Sequence, residues 1–165
     1  MVSRDSAFDV KSKTFAHLSQ DNRLHLWDVD TRKERKGYVD KNHLSHSFTC
    51  FNWKQGKKDT LGEFVVGFSD GTLIVWDLVR GVVSKTIGKA NESEAPSDLS
   101  FSNDHNSVYV SSSNNKVLKY SLKSGEVEKT IKVGKKGILK LAVNPKADVL
   151  AAARCVSELS FIDHC

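Results

Sequence analysis

The side chains of this chain that could do chemistry are six histidines, twenty carboxylates, three cysteines and twenty-five lysines and arginines. The histidines are scattered, and no glycine-rich phosphate loop precedes a helical pattern, so proton transfer and phosphoryl transfer have no assembled set. His25 alternates with Leu24 and Leu26, as a packing residue on a strand does. Cys50, Cys155 and Cys165 are odd in number and lack the paired spacing of a zinc site, so they read as buried or bystander thiols. The sequence predicts no catalytic residue, no metal ligands, no cofactor and no small-molecule substrate.

The cations, by contrast, are clustered. Arg32, Lys33, Arg35 and Lys36 surround Glu34; Lys54, Lys57 and Lys58 flank Gln55-Gly56; Lys132, Lys135 and Lys136 flank Val133-Gly134. With a net charge of +5 and a pI near 9.1, such clusters could contact phosphates or another acidic partner. No aromatics are interleaved to stack bases, and lysine-rich solvated loops are common, which is the competing reading.

The elements that must position these residues are strands. Phe64-Val65-Val66-Gly67-Phe68 and Leu73-Ile74-Val75-Trp76 are apolar runs rich in β-branched and aromatic residues, separated by Ser69-Asp70-Gly71-Thr72. Gly71 supplies the positive φ that a hairpin turn often needs, and Asp70 can bond the backbone there. Both runs are apolar at nearly every position, so each predicts cover on both faces, which a free-standing hairpin lacks.

The layout recurs. Thr14 to Asp28 repeats it, with Trp27-Asp28 lying 49 residues before Trp76-Asp77. Ser107 to Ser121 repeats it with Tyr120, 44 residues after Trp76, and Val149-Leu150-Ala151-Ala152-Ala153 with Leu159-Ser160-Phe161-Ile162-Asp163 places Ile162 another 42 on. Independently, Arg80-Gly81-Val82-Val83-Ser84-Lys85-Thr86-Ile87 recurs 44 residues later as Ser124-Gly125-Glu126-Val127-Glu128-Lys129-Thr130-Ile131, matching at Gly, Val, Lys, Thr and Ile.

This pattern resembles the WD-repeat family, whose unit is a four-stranded propeller blade of roughly 40–45 residues with a Trp-Asp at the end of its third strand. The resemblance implies an all-β fold: a partial β-propeller of three blades plus most of a fourth, over approximately 6–39, 48–87, 97–133 and 138–165. Blade 1 opens with Ser6-Ala7-Phe8-Asp9 and ends in a polar outer strand near 34–39; blade 2 opens with Phe48-Thr49-Cys50-Phe51-Asn52-Trp53, whose alternation is imperfect. Blade 3 begins at Asp98 and blade 4 at Ile138, and the polar stretch from Gly88 to Pro96 reads as a mobile loop. Under four blades predict the first half of a larger propeller or a truncated product of one, marginal in isolation because a repeat buries its faces only against neighbours.

The family also implies structural positions: Trp27, Asp28, Trp76, Asp77, Tyr120, Ile162 and Asp163 at the ends of third strands. Blades of this family are pinned by a hydrogen-bonded set of a turn Asp, an upstream His, a hydroxyl and the Trp. Only blade 2 holds most of it, with Asp70, Trp76 and either His43 or His46. In such a propeller the first two basic clusters occupy loops opening on one face of neighbouring blades, giving a candidate patch of Arg32, Lys33, Arg35, Lys36, Lys54, Lys57 and Lys58.

A finer resemblance runs through Ala7-Phe8, Leu24-His25-Leu26-Trp27, Tyr38-Val39, His43-Leu44-Ser45 and Thr49-Cys50-Phe51-Asn52-Trp53. It is similar to the N-terminal propeller of a nucleolar WD-repeat family of the small-subunit processome, in the subcomplex associated with ribosomal DNA transcription. Its members continue into further blades and a helical domain. That resemblance implies a non-enzymatic scaffold in the nucleolus, with other proteins of a multi-subunit complex and pre-ribosomal RNA as partners; the alternative is a peptide-binding adaptor in another nuclear or cytosolic pathway. Composition agrees with a globular domain, being 39% hydrophobic and 27% charged. No apolar stretch approaches the roughly 20 residues of a membrane span, and the first residues carry no secretory signal, so no membrane is expected and Asn91-Glu92-Ser93 reads as a chance glycosylation match.

Overall fold

A computed structural model describes residues 6–9, 13–19, 23–38, 46–54, 63–78, 80–88, 94–112, 114–134, 137–147, 149–154 and 159–163, the side chains of 36–38 and 163 excepted. Every regular element among the described residues is a strand. Blade 1 comprises β1 (Ser6–Phe8), β2 (Thr14–Leu18), β3 (Leu24–Asp28) and β4 (Glu34–Tyr38). Blade 2 comprises β5 (Phe48–Trp53), β6 (Glu63–Phe68), β7 (Leu73–Asp77) and β8 (Val82–Ile87). Blade 3 comprises β9 (Pro96–Phe101), β10 (Ser107–Ser112), β11 (Lys116–Ser121) and β12 (Val127–Lys132), and blade 4 comprises β13 (Ile138–Val143), β14 (Val149–Arg154) and β15 (Leu159–Asp163). Each blade is an antiparallel meander in chain order.

The repeat is exact in register. Phe15 pairs with Trp27, Phe64 with Trp76, Val108 with Tyr120 and Leu150 with Ile162. The third and fourth strands of blades 1, 2 and 3 each shift register immediately before that residue, at Leu26/Trp27, Val75/Trp76 and Lys119/Tyr120. A bulge inserts an extra residue and increases local twist, so the same kink recurs at the same place in three blades.

Three apolar clusters hold the blades together. Ala16, Leu18, Leu24 and Leu26 of blade 1 pack with Phe64, Val66, Phe68, Ile74 and Trp76 of blade 2. Blades 2 and 3 meet through Val65, Leu73, Val75 and Ile87 against Leu99, Val108, Val110 and Tyr120. Blades 3 and 4 meet through Tyr109, Val117 and Val133 against Ile138, Leu141, Leu150 and Ala152, with Ile162 alongside. Blade 2 thus has apolar cover on both faces, which is why β6 and β7 lack period-two alternation. Outer strands β8 and β12 are mostly exposed, and β12 is correspondingly polar.

The imperfect alternation of β5 has a backbone cause. Its pairing with β6 shifts between Phe48 and Cys50, so Cys50 and Phe51 are both buried, on opposite faces of the blade. Two expectations are corrected. Blade 3 begins at Pro96, two residues before Asp98, Pro being tolerated as the first residue of a strand. Arg35 and Lys36 lie on β4 and not in the loop before it.

Gly67 is a point of tight contact between blades 2 and 3. A Cβ there would lie 2.5 Å from Pro96 Cγ and 3.0 Å from Cys50 Sγ, so the absence of a side chain allows the two inner strands to meet.

Candidate interaction surface

The end of each third strand builds a turn on the rim. Asp28 accepts the Thr31 backbone N–H at 2.8 Å, Asp77 accepts that of Arg80 at 3.1 Å, and Ser121 accepts that of Ser124 at 3.3 Å. The Asp of the Trp-Asp pair is therefore a turn cap, and Ser121 does the same work in blade 3. Asp28 also accepts the Thr31 hydroxyl at 3.0 Å and Arg35 Nε at 2.9 Å. The Thr31 N–H, then the Arg35 guanidinium and the Thr31 hydroxyl, lower the Asp28 carboxyl from 3.8 to about 2. The Asp163 backbone occupies the same register position in blade 4, paired with Val149.

The fourth residue beyond each cap adopts a left-handed conformation. It is Gly81 (φ 67°) in blade 2 and Gly125 (φ 83°) in blade 3, but Arg32 (φ 57°) in blade 1. A side chain there costs about 1–2 kcal/mol relative to glycine, and residues held so are concentrated where a surface is used. Arg32 and the adjacent Lys33 are both exposed.

The remaining cations of the candidate patch are less available. Arg35 is committed to Asp28. Lys54 donates to Glu63 Oε2 at 2.7 Å. Lys36 contributes its backbone to β4, opposite Leu26. Lys57 and Lys58 lie outside the described residues, as do Lys135 and Lys136 of the third cluster.

The turn of blade 2 forms part of the expected pinning set. Asp70 accepts the Thr72 N–H at Oδ1 and the Thr72 hydroxyl at Oδ2, both at 2.9 Å, and His46 Nε2 stands 3.5 Å from the same Oδ2. Ser69 and Ser47 complete the tie, the Ser69 N–H donating to the Ser47 carbonyl at 2.8 Å and the Ser47 N–H to Ser69 Oγ at 3.1 Å. The histidine brought to Asp70 is His46; His43 lies outside the described residues. Trp76 packs edge-on against Phe64, ring centroids 5.5 Å apart.

One motif was missed in sequence. Gly67-Phe68-Ser69-Asp70-Gly71 spells Gly-x-Ser-x-Gly, the pattern of a nucleophile elbow, which requires a strained turn from a strand into a helix. Here it is the tip of a hairpin between β6 and β7, and among the described residues the Ser69 hydroxyl bonds only the Ser47 backbone.

The polar stitches at the seams were also missed. Trp53 Nε1 donates to the Ala7 carbonyl at 3.3 Å, joining blades 1 and 2, and Asn52 Nδ2 donates to the Leu99 carbonyl at 2.8 Å, joining blades 2 and 3. At the third seam Asp98, buried at 6% exposure, accepts the Leu141 N–H at 2.7 Å, while Lys140 Nζ stands 3.4 Å away. Ser97 Oγ donates to the Ile138 carbonyl at 2.6 Å beside it. A lone Asp near the start of a strand carries no sequence signal for this role; the available hint was a polar Asp98 at the position where blade 2 has Cys50.

Four meandering sheets packed face to face, with one register and one bulge position repeated, define an all-β WD-repeat-type propeller of three complete blades and a three-stranded fourth. The human WD repeat-containing protein 43 is 20% identical to this chain over 167 aligned positions, covering 89% of the chain and 25% of the human protein. The chain therefore spans about a quarter of that relative's length. No protein-family model matches.

Proposed function

We propose that this chain is a non-catalytic scaffold of an early small-subunit pre-ribosome, acting in the nucleolus through the rim of its first two blades. The observation that carries this reading is the ordered resemblance of Ala7 to Trp53 to the nucleolar family, supported by likeness to a human WD-repeat protein. Arg32 supports a binding role for the rim: it keeps a bulky cation in a left-handed turn where blades 2 and 3 use glycine. With Lys33 it presents two exposed positive charges suited to phosphates of pre-ribosomal RNA or to an acidic protein segment.

Affinity recovery of the protein from cells tests the assignment. Ribosome-assembly factors and pre-ribosomal RNA among the recovered partners are the expected result, and a set lacking both rejects the reading in favour of an adaptor elsewhere. For the rim, reversing Arg32 and Lys33 to Glu should weaken RNA binding and flatten its salt dependence, because each lost phosphate contact releases fewer counterions. Unchanged binding and salt slope would remove RNA from the account.

A further inference from the structure

The outer strand of a blade leaves one edge of backbone N–H and C=O groups unpaired, and proteins keep such edges from capturing another strand with charges, lysine above all. Blade 1 carries Glu34, Arg35 and Lys36 on β4, and blade 3 carries Glu128, Lys129 and Lys132 on β12. Blade 2 is different. Its β8 reads Val-Val-Ser-Lys-Thr-Ile and holds one charge, Lys85.

That charge is committed elsewhere. Lys85 lies opposite Val75, on the face toward blade 3, and its Nζ donates to the Leu122 carbonyl at 3.1 Å and to the Lys123 carbonyl. Ser84, which the bulge leaves out of register, donates its hydroxyl back to the Val75 carbonyl at 3.1 Å. The side chains left on the exposed length of the strand are Val82 at 51%, Val83 at 39% and Thr86. Among the described residues β8 pairs with β7 alone. Blade 2 is covered on both faces by blades 1 and 3, so a partner reaches it along this edge.

The edge also states the chemistry of its occupant. A row of free backbone groups is satisfied by another extended backbone, while side chains at alternate positions give specificity. Beside Val82, Val83 and Thr86 the favoured neighbours are β-branched. Arg80, in the turn leading into β8, is 80% exposed and stands 3.7 Å from Asp77; Lys123, in the corresponding turn of blade 3, is exposed too. Both put positive charge at one end of the edge. A second copy of this chain, itself at +5, would meet that charge with more of the same sign, whereas an acidic flank complements it.

We propose that β8 is a docking edge for an extended segment of a partner protein, β-branched at alternate positions and acidic at one end, which joins blade 2 as a fifth strand. The edge has this character whichever complex the chain serves, so this inference and the pre-ribosome reading can each fail alone.

The probe is a fluorescein-labelled peptide, Glu-Glu-Val-Thr-Val-Thr-Val-Thr, followed by anisotropy on the 165-residue chain. It should bind saturably, and hydrogen exchange should slow at the β8 amides while those of β12 are unchanged. Val82→Lys with Val83→Lys restores the missing guard and should weaken binding about tenfold, with an unchanged circular dichroism spectrum; Val83→Lys alone serves if the pair fails to fold. The peptide N-methylated at every Val and Thr keeps its side chains, loses its donors and should not bind. Lysines in place of the two glutamates should weaken binding about two- to fivefold. Absence of saturable binding, equal binding by the lysine variant or retained binding of the methylated peptide overturns the proposal. Equal or tighter binding of the lysine-flanked peptide overturns the acidic partner. A dimer of the chain alone that Val83→Lys abolishes overturns it as well, since a second copy would then be the occupant.

Discussion

Trp76 and Trp27 occupy one register position in successive blades, each opposite a Phe and each immediately after a bulge, yet Trp76 is 4% exposed and Trp27 40%. The local backbone is the same; the neighbour differs. Trp76 projects onto Ala16 and the leucines of blade 1, whereas among the described residues no blade stands in front of Trp27. Blade geometry is thus specified within each repeat and burial between repeats, so the end blades have the same fold as the middle ones and less holding them to it.

Paired truncations break the comparison most forcefully. Trp76→Ala should cost about 3–5 kcal/mol, as core Trp truncations do, while Trp27→Ala should stay below about 1 kcal/mol, near the surface range. Denaturant unfolding of both reads the difference, and equal losses would mean that register alone sets the stability of this position.

Gly67→Ala strikes a tight contact between blades 2 and 3. The added Cβ meets Pro96 Cγ at 2.5 Å, and overpacking of this kind costs about 1–3 kcal/mol. A thermal melt showing no loss would mean that the second seam has slack.

The smallest effect concerns the rim caps. The folded Asp28 carboxyl is lowered to about 2 from 3.8, so folding favours its ionised form. Its contribution is present above about pH 4 and is lost as pH falls through 2. A carbon-detected NMR titration should find its midpoint near 2, and a midpoint near 3.8 would mean that the Thr31 and Arg35 contacts do not persist in solution.

Much of this architecture was legible in sequence because each blade carries its own signals. The apolar runs of β6 and β7, the turn at Asp70-Gly71 and the recurrence of Lys-Thr-Ile in β8 and β12 are local, and the broken alternation at Cys50-Phe51 already encoded the bulge in β5. What escaped depends on a second repeat. The exposure of Trp27, the need for Gly67 opposite Pro96 and the burial of Asp98 under Leu141 arise where blades meet. Of the candidate patch, Arg35 and Lys54 read as free cations in sequence because their partners Asp28 and Glu63 stand across a turn or a strand pair, seven and nine residues away.

The central claim is that neighbours, and not the repeat itself, set how firmly each blade is held. Residue-resolved hydrogen exchange tests it most directly, because it separates local opening from global unfolding. The amides of β6, β7, β10 and β11, flanked by blades on both faces, should exchange only through global unfolding, while those of β2, β3, β14 and β15 should exchange faster through local opening. Equal protection across all four blades would contradict the account.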